Sequence, residues 1–318
     1  MRAILVTNDK DLVWSTVPDP RPNAGDVVID VHATALNRAD LMQRAGHYPP
    51  PPGWPEWMGL EAAGVISHAP AGSRWRVGDR VCALLGGGGY AEKVAVPANM
   101  ALPVPEGLSM EEAAAIPEAF ATAYLNLVRE GGMKAGDTVF IQAGASGLGA
   151  ASIQLAKELG AKVATTVGAS EKVEFVESLG ADVVINYKKQ DVATVLEQHP
   201  VDVALDCVAG PGLERCLKTM ARGGRWIVIA TLGGGQCTID MNAFFRGGLK
   251  LIGSTLRSRP PEMKAEILAE LEQQFWPAFA SRRIKPVIYK TLPITQAAEA
   301  HAILQRNENL GKVVLTLR

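Results

Sequence analysis

The chain has 318 residues, 47% of them hydrophobic and 20% charged, with a formal net charge of -1. That length suits about two domains, and the near-neutral balance gives no reason to expect nucleic acid or an acidic membrane as main partner. No apolar run reaches the roughly 18 residues of a membrane span, the N-terminus lacks a secretory pattern, and Cys82, Cys207, Cys216 and Cys237 are far apart with no C-x-x-C pair; a cytoplasmic protein with free thiols is expected.

From Met1 to about Met100 short alternating strands are punctuated by turns, which predicts a small, mostly antiparallel barrel or sandwich. A short helix and turn from Asn37 to Tyr48 interrupts it, followed by the stiff proline run Pro49 to Pro52, which reads equally as a lid or as a surface spacer. Ser109 with Glu112 three residues on is a capping-box signature that starts a helix. A second helical stretch, Glu118 to Arg129, follows Pro117, where the domain boundary is placed: 1–117 with 260–318 forms one domain and 118–259 the other.

From Thr138 to about Ser258 apolar strands alternate with helices, including one predicted over Gly212 to Ala221, and this means a doubly wound parallel sheet. Its first strand, Val139 to Ile141, runs into Gly144, Gly147 and Gly149 and then a helix. Glycines at that turn let the backbone approach an anion closely, and the helix N-terminus offers it free N–H groups, so a nucleotide diphosphate fits; a close-packed turn is the bland alternative. The tail adds a helix (Pro261 to Ala280), a strand (Val287 to Lys290), a helix (Thr295 to Arg306) and a strand (Lys312 to Leu317). It is too small for a core of its own and is expected to dock on the first domain.

NAD-preferring folds carry a carboxylate about 20 residues after the glycine turn. Here the second strand ends at Gly168 with Ser170 and Lys172 following and Tyr187 after the third strand, a set suited to a 2′-phosphate and therefore to NADPH. Lys188 and Lys189 read as solvated charge. No Cys and His set has zinc-ligand spacing, and no strong general acid is evident.

The segments NRAD (37–40), QRAGHYP (43–49), GLEAAG (59–64), GDRV (78–81), AAAIP (113–117), QAGASGLG (142–149) and GKVVL (311–315) together resemble the zinc-free quinone oxidoreductases of the medium-chain dehydrogenase/reductase superfamily. PEAFAT (117–122), LLGGG (84–88) and LRSR (256–259) are similar to the zeta-crystallin-like branch that holds the tumour-suppressor-inducible quinone oxidoreductase. The resemblance implies an α/β protein with a GroES-like, mostly antiparallel β-barrel domain and a Rossmann NADP-binding domain, forming a homodimer through edge strands near Leu249 to Ser254.

By position it places Asn37, Asp40 and Tyr48 beside the nicotinamide as catalytic residues, with Asp40 as a simple cap the bland alternative. Thr122 falls near the ribose, and Ser146, Gly147 and Leu148 at the diphosphate. Gly168, Ser170, Lys172 and Tyr187 surround the 2′-phosphate. Leu232, Gly233 and Gly234 pass by the nicotinamide ring, with Ser254, Leu256 and Asn309 over it. The implied activity is metal-free transfer of reducing equivalents from NADPH to a quinone bound between the domains, by one or two electrons, with Asn37 or Tyr48 donating to the acceptor oxygen. Two rivals stand beside it: an NADPH-dependent enone or 2-alkenal double-bond reductase, and a nucleotide-binding sensor, structural or RNA-binding protein with little turnover.

Overall fold

The computed structural model describes residues 1–317. The chain divides into two compact units, one made of Met1–Ala121 together with the segment from Arg257 onward, the other of Thr122–Leu256.

The first unit is built on a seven-stranded sheet. Its order runs Ile288–Pro293, Lys312–Thr316, Asp26–Ala35, Glu61–His68, Arg80–Leu84, Ala101–Pro103, with Lys93–Pro97 also paired to Asp26–Ala35. All pairs are antiparallel except the two strands of the C-terminal tail. The tail strand Lys312–Thr316 pairs with Asp26–Ala35 through Val314 opposite Ala35, so the tail completes the first unit. Burial explains why: Val313, Val314 and Leu315 are fully covered, and Val313 and Leu315 join Leu36, Met58 and Tyr90 in one apolar cluster. A two-stranded antiparallel ribbon, Arg2–Val6 with Leu12–Thr16, forms a separate sheet. Ser109 and Glu112 form the expected capping box, with the Ser109 Oγ accepting from the Glu112 N–H at 3.2 Å and the Glu112 carboxylate accepting from the Ser109 N–H at 2.9 Å.

The second unit carries six parallel strands in the order Val183–Asn186, Lys162–Val167, Thr138–Ile141, Val201–Asp206, Met220–Val228, Lys250–Gly253. This is the doubly wound order in which the chain starts in the middle and winds outward both ways. Val139, Phe140 and Ile141 are each 0% exposed, as a central strand covered on both faces requires.

Two helix boundaries differ from the sequence reading. The predicted helix from Glu118 to Arg129 is α-helical only over Pro117–Tyr124 and widens to a π-helix over Leu125–Glu130. There the buried Asn126 side chain donates to the Thr122 carbonyl at 2.7 Å, competing with the main-chain ladder. The helix predicted over Gly212 to Ala221 stops at Leu217, because Met220 already pairs with Val201 in the sheet. Strand pairing in a buried sheet overrides the helical preference of Ala221.

Candidate active site

In the first unit a charged cluster is buried against the sheet. The Glu61 side chain is 0% and that of Lys312 5% exposed, and Lys312 Nζ donates to Glu61 Oε1 at 2.6 Å. The same ammonium donates to the Leu36 carbonyl and to Asn37 Oδ1, both at 2.7 Å, so its three N–H bonds are all taken. Asn37 Nδ2 donates to Glu61 Oε1 at 3.0 Å and to the Ala35 carbonyl at 3.3 Å. Both amide hydrogens of Asn37 are therefore committed. The Asn37 amide in this way links Glu61, Lys312 and the Ala35 carbonyl.

Asp40 lies in the same buried cluster. It is 0% exposed, and its carboxylate accepts from the Asn37 N–H at 2.7 Å, from the Gly59 N–H at 3.3 Å and from the Tyr90 hydroxyl at 3.3 Å. It closes the first turn of the helix Arg38–Ala45, in keeping with a capping role. Burial raises its pKa to about 6 against these favourable hydrogen bonds. Behind it the Tyr90 hydroxyl lies 3.3 Å from His301 Nε2, and burial lowers the His301 pKa to about 3, which keeps that imidazole neutral.

Tyr48 stands differently. It is half-buried, and its hydroxyl has no hydrogen-bond partner among the described residues. Arg257, only 4% exposed, lies 4.8 Å from the centre of the Tyr48 ring, donates to the Tyr48 carbonyl at 3.0 Å, to the Gly86 carbonyl at 2.9 Å and to Gln43 Oε1 at 2.7 Å. The buried Lys264 ammonium holds the Arg257 carbonyl at 2.6 Å. Gln43 Nε2 donates to the Glu56 carbonyl at 2.7 Å and Trp57 Nε1 to the Gly88 carbonyl at 3.2 Å, so the segment after the proline run is anchored. Desolvation and the nearby Glu118 push the Tyr48 pKa above its usual value, so the phenol keeps its proton. Asn309, half-buried, donates to the Gly311 carbonyl at 2.7 Å.

The second unit carries the glycine turn that the sequence assigns to a nucleotide diphosphate. Ser146 caps the helix Gly147–Glu158, its Oγ accepting from the Gly149 N–H at 3.0 Å, while Gly147 and Leu148 occupy the first turn, whose N–H groups lack intrahelical acceptors. A Cβ on Gly144 would meet Thr165 Oγ1 at 2.2 Å and one on Gly149 the Ala143 carbonyl at 2.3 Å, so this turn exists only with glycine. A diphosphate fits that donor set. At the neighbouring strand end Tyr187 is 54% exposed and a Cβ on Gly168 would lie 2.5 Å from its hydroxyl, which puts the phenol against the strand tip. Lys189 Nζ donates to Ser170 Oγ at 2.7 Å, and Lys172, held low by desolvation and by the like charge of Lys188, stands in the same cluster. The Lys189 ammonium thus reaches Ser170, and Lys188 lies close enough to Lys172 for its charge to act there. Spacing along the chain does not reveal Lys188 and Lys189, because strand pairing of Val183–Asn186 with Lys162–Val167 brings them there.

Leu232, Gly233 and Gly234 form an exposed loop packed on Val208 to Gly210, with the Gly233 N–H donating to the Val208 carbonyl at 2.7 Å. Ser254 and Leu256 are buried, 6% and 5% exposed, and the Ser254 hydroxyl has no partner among the described residues. Thr122 is half-buried.

Among the described residues no group of three or more His, Cys, Asp or Glu side chains is arranged to hold a metal ion. Both carboxylate oxygens of Glu61 are engaged within the protein, Oε1 by Lys312 and Asn37 and Oε2 by the Glu118 N–H at 2.9 Å. No helix among the described residues is long and apolar enough to cross a membrane.

A glycine cradle on a doubly wound sheet, carried by the same chain as a barrel-like unit with a buried polar cluster, defines an oxidoreductase with a nicotinamide cofactor. Comparison with known proteins agrees. Residues 23–106 match the alcohol dehydrogenase GroES-like domain and residues 147–273 the zinc-binding dehydrogenase domain. The chain is 31% identical to the quinone oxidoreductase of Rattus norvegicus over 313 residues, 95% of this chain and 92% of that one. Its fold superposes on the quinone oxidoreductase of Thermus thermophilus, solved also with NADPH, with a TM-score of 0.85, 32% identity and all of both chains covered. It superposes equally on the JamJ enoyl reductase, with a TM-score of 0.87, 25% identity, and 99% of this chain and 98% of that one covered. The chain belongs to the medium-chain dehydrogenase/reductase superfamily, with quinone oxidoreductases among its relatives.

Proposed function

We propose that this protein is an NADPH-dependent quinone reductase. The observation that carries the reading is the Tyr48 phenol, an O–H donor with no protein partner among the described residues, backed by a buried guanidinium at 4.8 Å from its ring. Reduction of a quinone puts negative charge on an oxygen, and an uncommitted O–H donor on a ring packed against a buried cation stabilises that charge. The likeness to quinone oxidoreductases over 95% of the chain supports the same choice.

NADPH, when bound, supplies the hydride. Ser146, Gly147 and Leu148 hold the diphosphate, and Ser170, Lys172, Tyr187 and Lys189 the 2′-phosphate, with Gly168 leaving room. The family resemblance assigns Thr122 to the ribose and Leu232, Gly233, Gly234, Ser254, Leu256 and Asn309 to the nicotinamide. Arg257 and Gln43 orient Tyr48, while Asn37 and Asp40 keep the surrounding backbone in place. The exposed edge strand Lys250–Gly253, with Leu251 38% exposed, is the surface through which two copies pair.

A second reading, reduction of an activated C=C bond in an enone or 2-alkenal, is favoured by the likeness to the JamJ enoyl reductase. Turnover of NADPH with a panel of ortho- and para-quinones against a panel of 2-alkenals separates the two. Activity with quinones is expected; activity confined to alkenals selects the second reading, and tight NADPH binding without turnover of either panel selects a sensor or structural role.

A further inference from the structure

Reduction of a quinone or an enone by hydride needs one proton as well, and the residues named so far do not supply it, since the Tyr48 phenol must itself be reprotonated. Glu118 meets that need. It sits in the first turn of the helix Pro117–Tyr124, and its own N–H donates to Glu61 Oε2 at 2.9 Å, which fixes the helix start against the buried carboxylate. Its side chain is half-buried, and the carboxyl has no hydrogen-bond partner among the described residues. The charged and titratable groups that face it are Glu61, Asp40, Lys312, Lys264, Arg257 and Tyr48. None of the three cations pairs with it: Lys312 is held by Leu36, Asn37 and Glu61, Lys264 donates to the Arg257 carbonyl, and Arg257 donates to Gly86, Tyr48 and Gln43. A carboxyl left among committed cations and two buried carboxylates holds its proton.

We propose, building on the reductase reading, that Glu118 is the proton donor of this site. The hydride brings two electrons to the acceptor. The O–H bond of Glu118 then breaks as a new O–H bond forms on the quinone oxygen, or a new C–H bond on the α-carbon of an enone. Glu118 is left as a carboxylate and recovers its proton from water. Desolvation, and after it the charge of Glu61, raises its pKa to about 8, so it is loaded at neutral pH and reloads without a large barrier.

The test has two arms. In the cofactor-free protein, infrared spectroscopy at neutral pH should show the carbonyl band of a protonated carboxylic acid that fades near pH 8 and is missing in Glu118→Gln. In steady state with NADPH and a quinone, Glu118→Gln should lower kcat by about 100-fold and abolish the alkaline limb of the pH profile, Glu118→Asp should restore part of the rate, and NADPH binding by fluorescence should be unchanged in both. Glu118→Gln within about threefold of wild type with the alkaline limb intact, well short of the general-acid effect, or the absence of its band at neutral pH, overturns the proposal. A wild-type protein inert towards quinones and alkenals alike overturns the reductase reading and the donor role together, whereas an active wild type with an unimpaired Glu118→Gln variant overturns the donor role alone.

Discussion

Lys312 reaches across 251 residues of sequence to place its ammonium 2.6 Å from Glu61, and both side chains are almost wholly excluded from water. Removing one partner of such a pair strands the other charge. Lys312→Met is expected to destabilise the protein by about 3–5 kcal/mol in urea unfolding. Glu61→Gln with Lys312→Met together should lose less than the sum of the single changes; strict additivity would show that the two do not act as a pair.

On the proposed NADPH reading, Lys172 and Lys189 at the end of the second parallel strand set cofactor choice. Lys172→Ala and Lys189→Ala should each weaken NADPH by about 10- to 100-fold, from the roughly 1.5–3 kcal/mol of a charge-assisted bond, while NADH binding changes little. Fluorescence titration with both nucleotides reads this out. Equal losses for NADPH and NADH would remove both lysines from the phosphate.

Two glycines in the nucleotide cradle should answer substitution differently. A Cβ on Gly144 meets Thr165 Oγ1, which is itself held by the Ile141 carbonyl at 2.7 Å and has nowhere to go. Gly144→Ala is therefore expected to cost about 1–3 kcal/mol. A Cβ on Gly168 meets only the tip of the exposed Tyr187 ring, which can swing away, so stability should stay within about 0.5 kcal/mol while the preference for NADPH falls. Melting curves and cofactor titrations of the two variants make the comparison.

His301 gives the fold a dependence on acid. Its pKa of 6.5 in the unfolded chain drops to about 3 in the folded one, chiefly through burial and then through the charge of Arg44. Between those values the unfolded state binds a proton that the folded state does not, so stability falls as pH is lowered through that window. Asp40, raised from 3.8 to about 6, acts in the opposite sense, favouring the fold at the acid end of its own window. Replacing His301 by Gln should therefore make the loss of melting temperature between about pH 7 and pH 4 smaller than in wild type. Parallel curves for the two proteins would rule out His301 as the source.

Much of the architecture is legible in the sequence because it rests on local signals. The apolar run Val139 to Ile141, the glycines after it and the capping box at Ser109 are each decided within a few residues, and the tail's small size forces it back onto the first unit. The site is legible only in part. The Tyr48 hydroxyl has no protein partner among the described residues, whereas Asn37 and Asp40 are occupied by Lys312, Glu61, Gly59 and Tyr90, partners that only the sheet brings near. Glu118 reads along the chain as the first residue of an ordinary helix, since nothing local reveals that Glu61 and two buried lysines face it. Lys189 is hidden for the same reason: its partner Ser170 lies on the other side of a strand crossover.

The placement of Lys312 on a strand so late in the chain also orders events during synthesis. Residues 1–121 leave the ribosome with the Ala33–Ala35 end of Asp26–Ala35 unpaired on one side and with Glu61 lacking its counter-charge, whereas Thr122–Leu256 holds a complete parallel sheet. The nucleotide-binding unit is thus able to fold while the chain is still growing, and the unit bearing Tyr48 and Glu118 closes only after the strand Lys312–Thr316 is released.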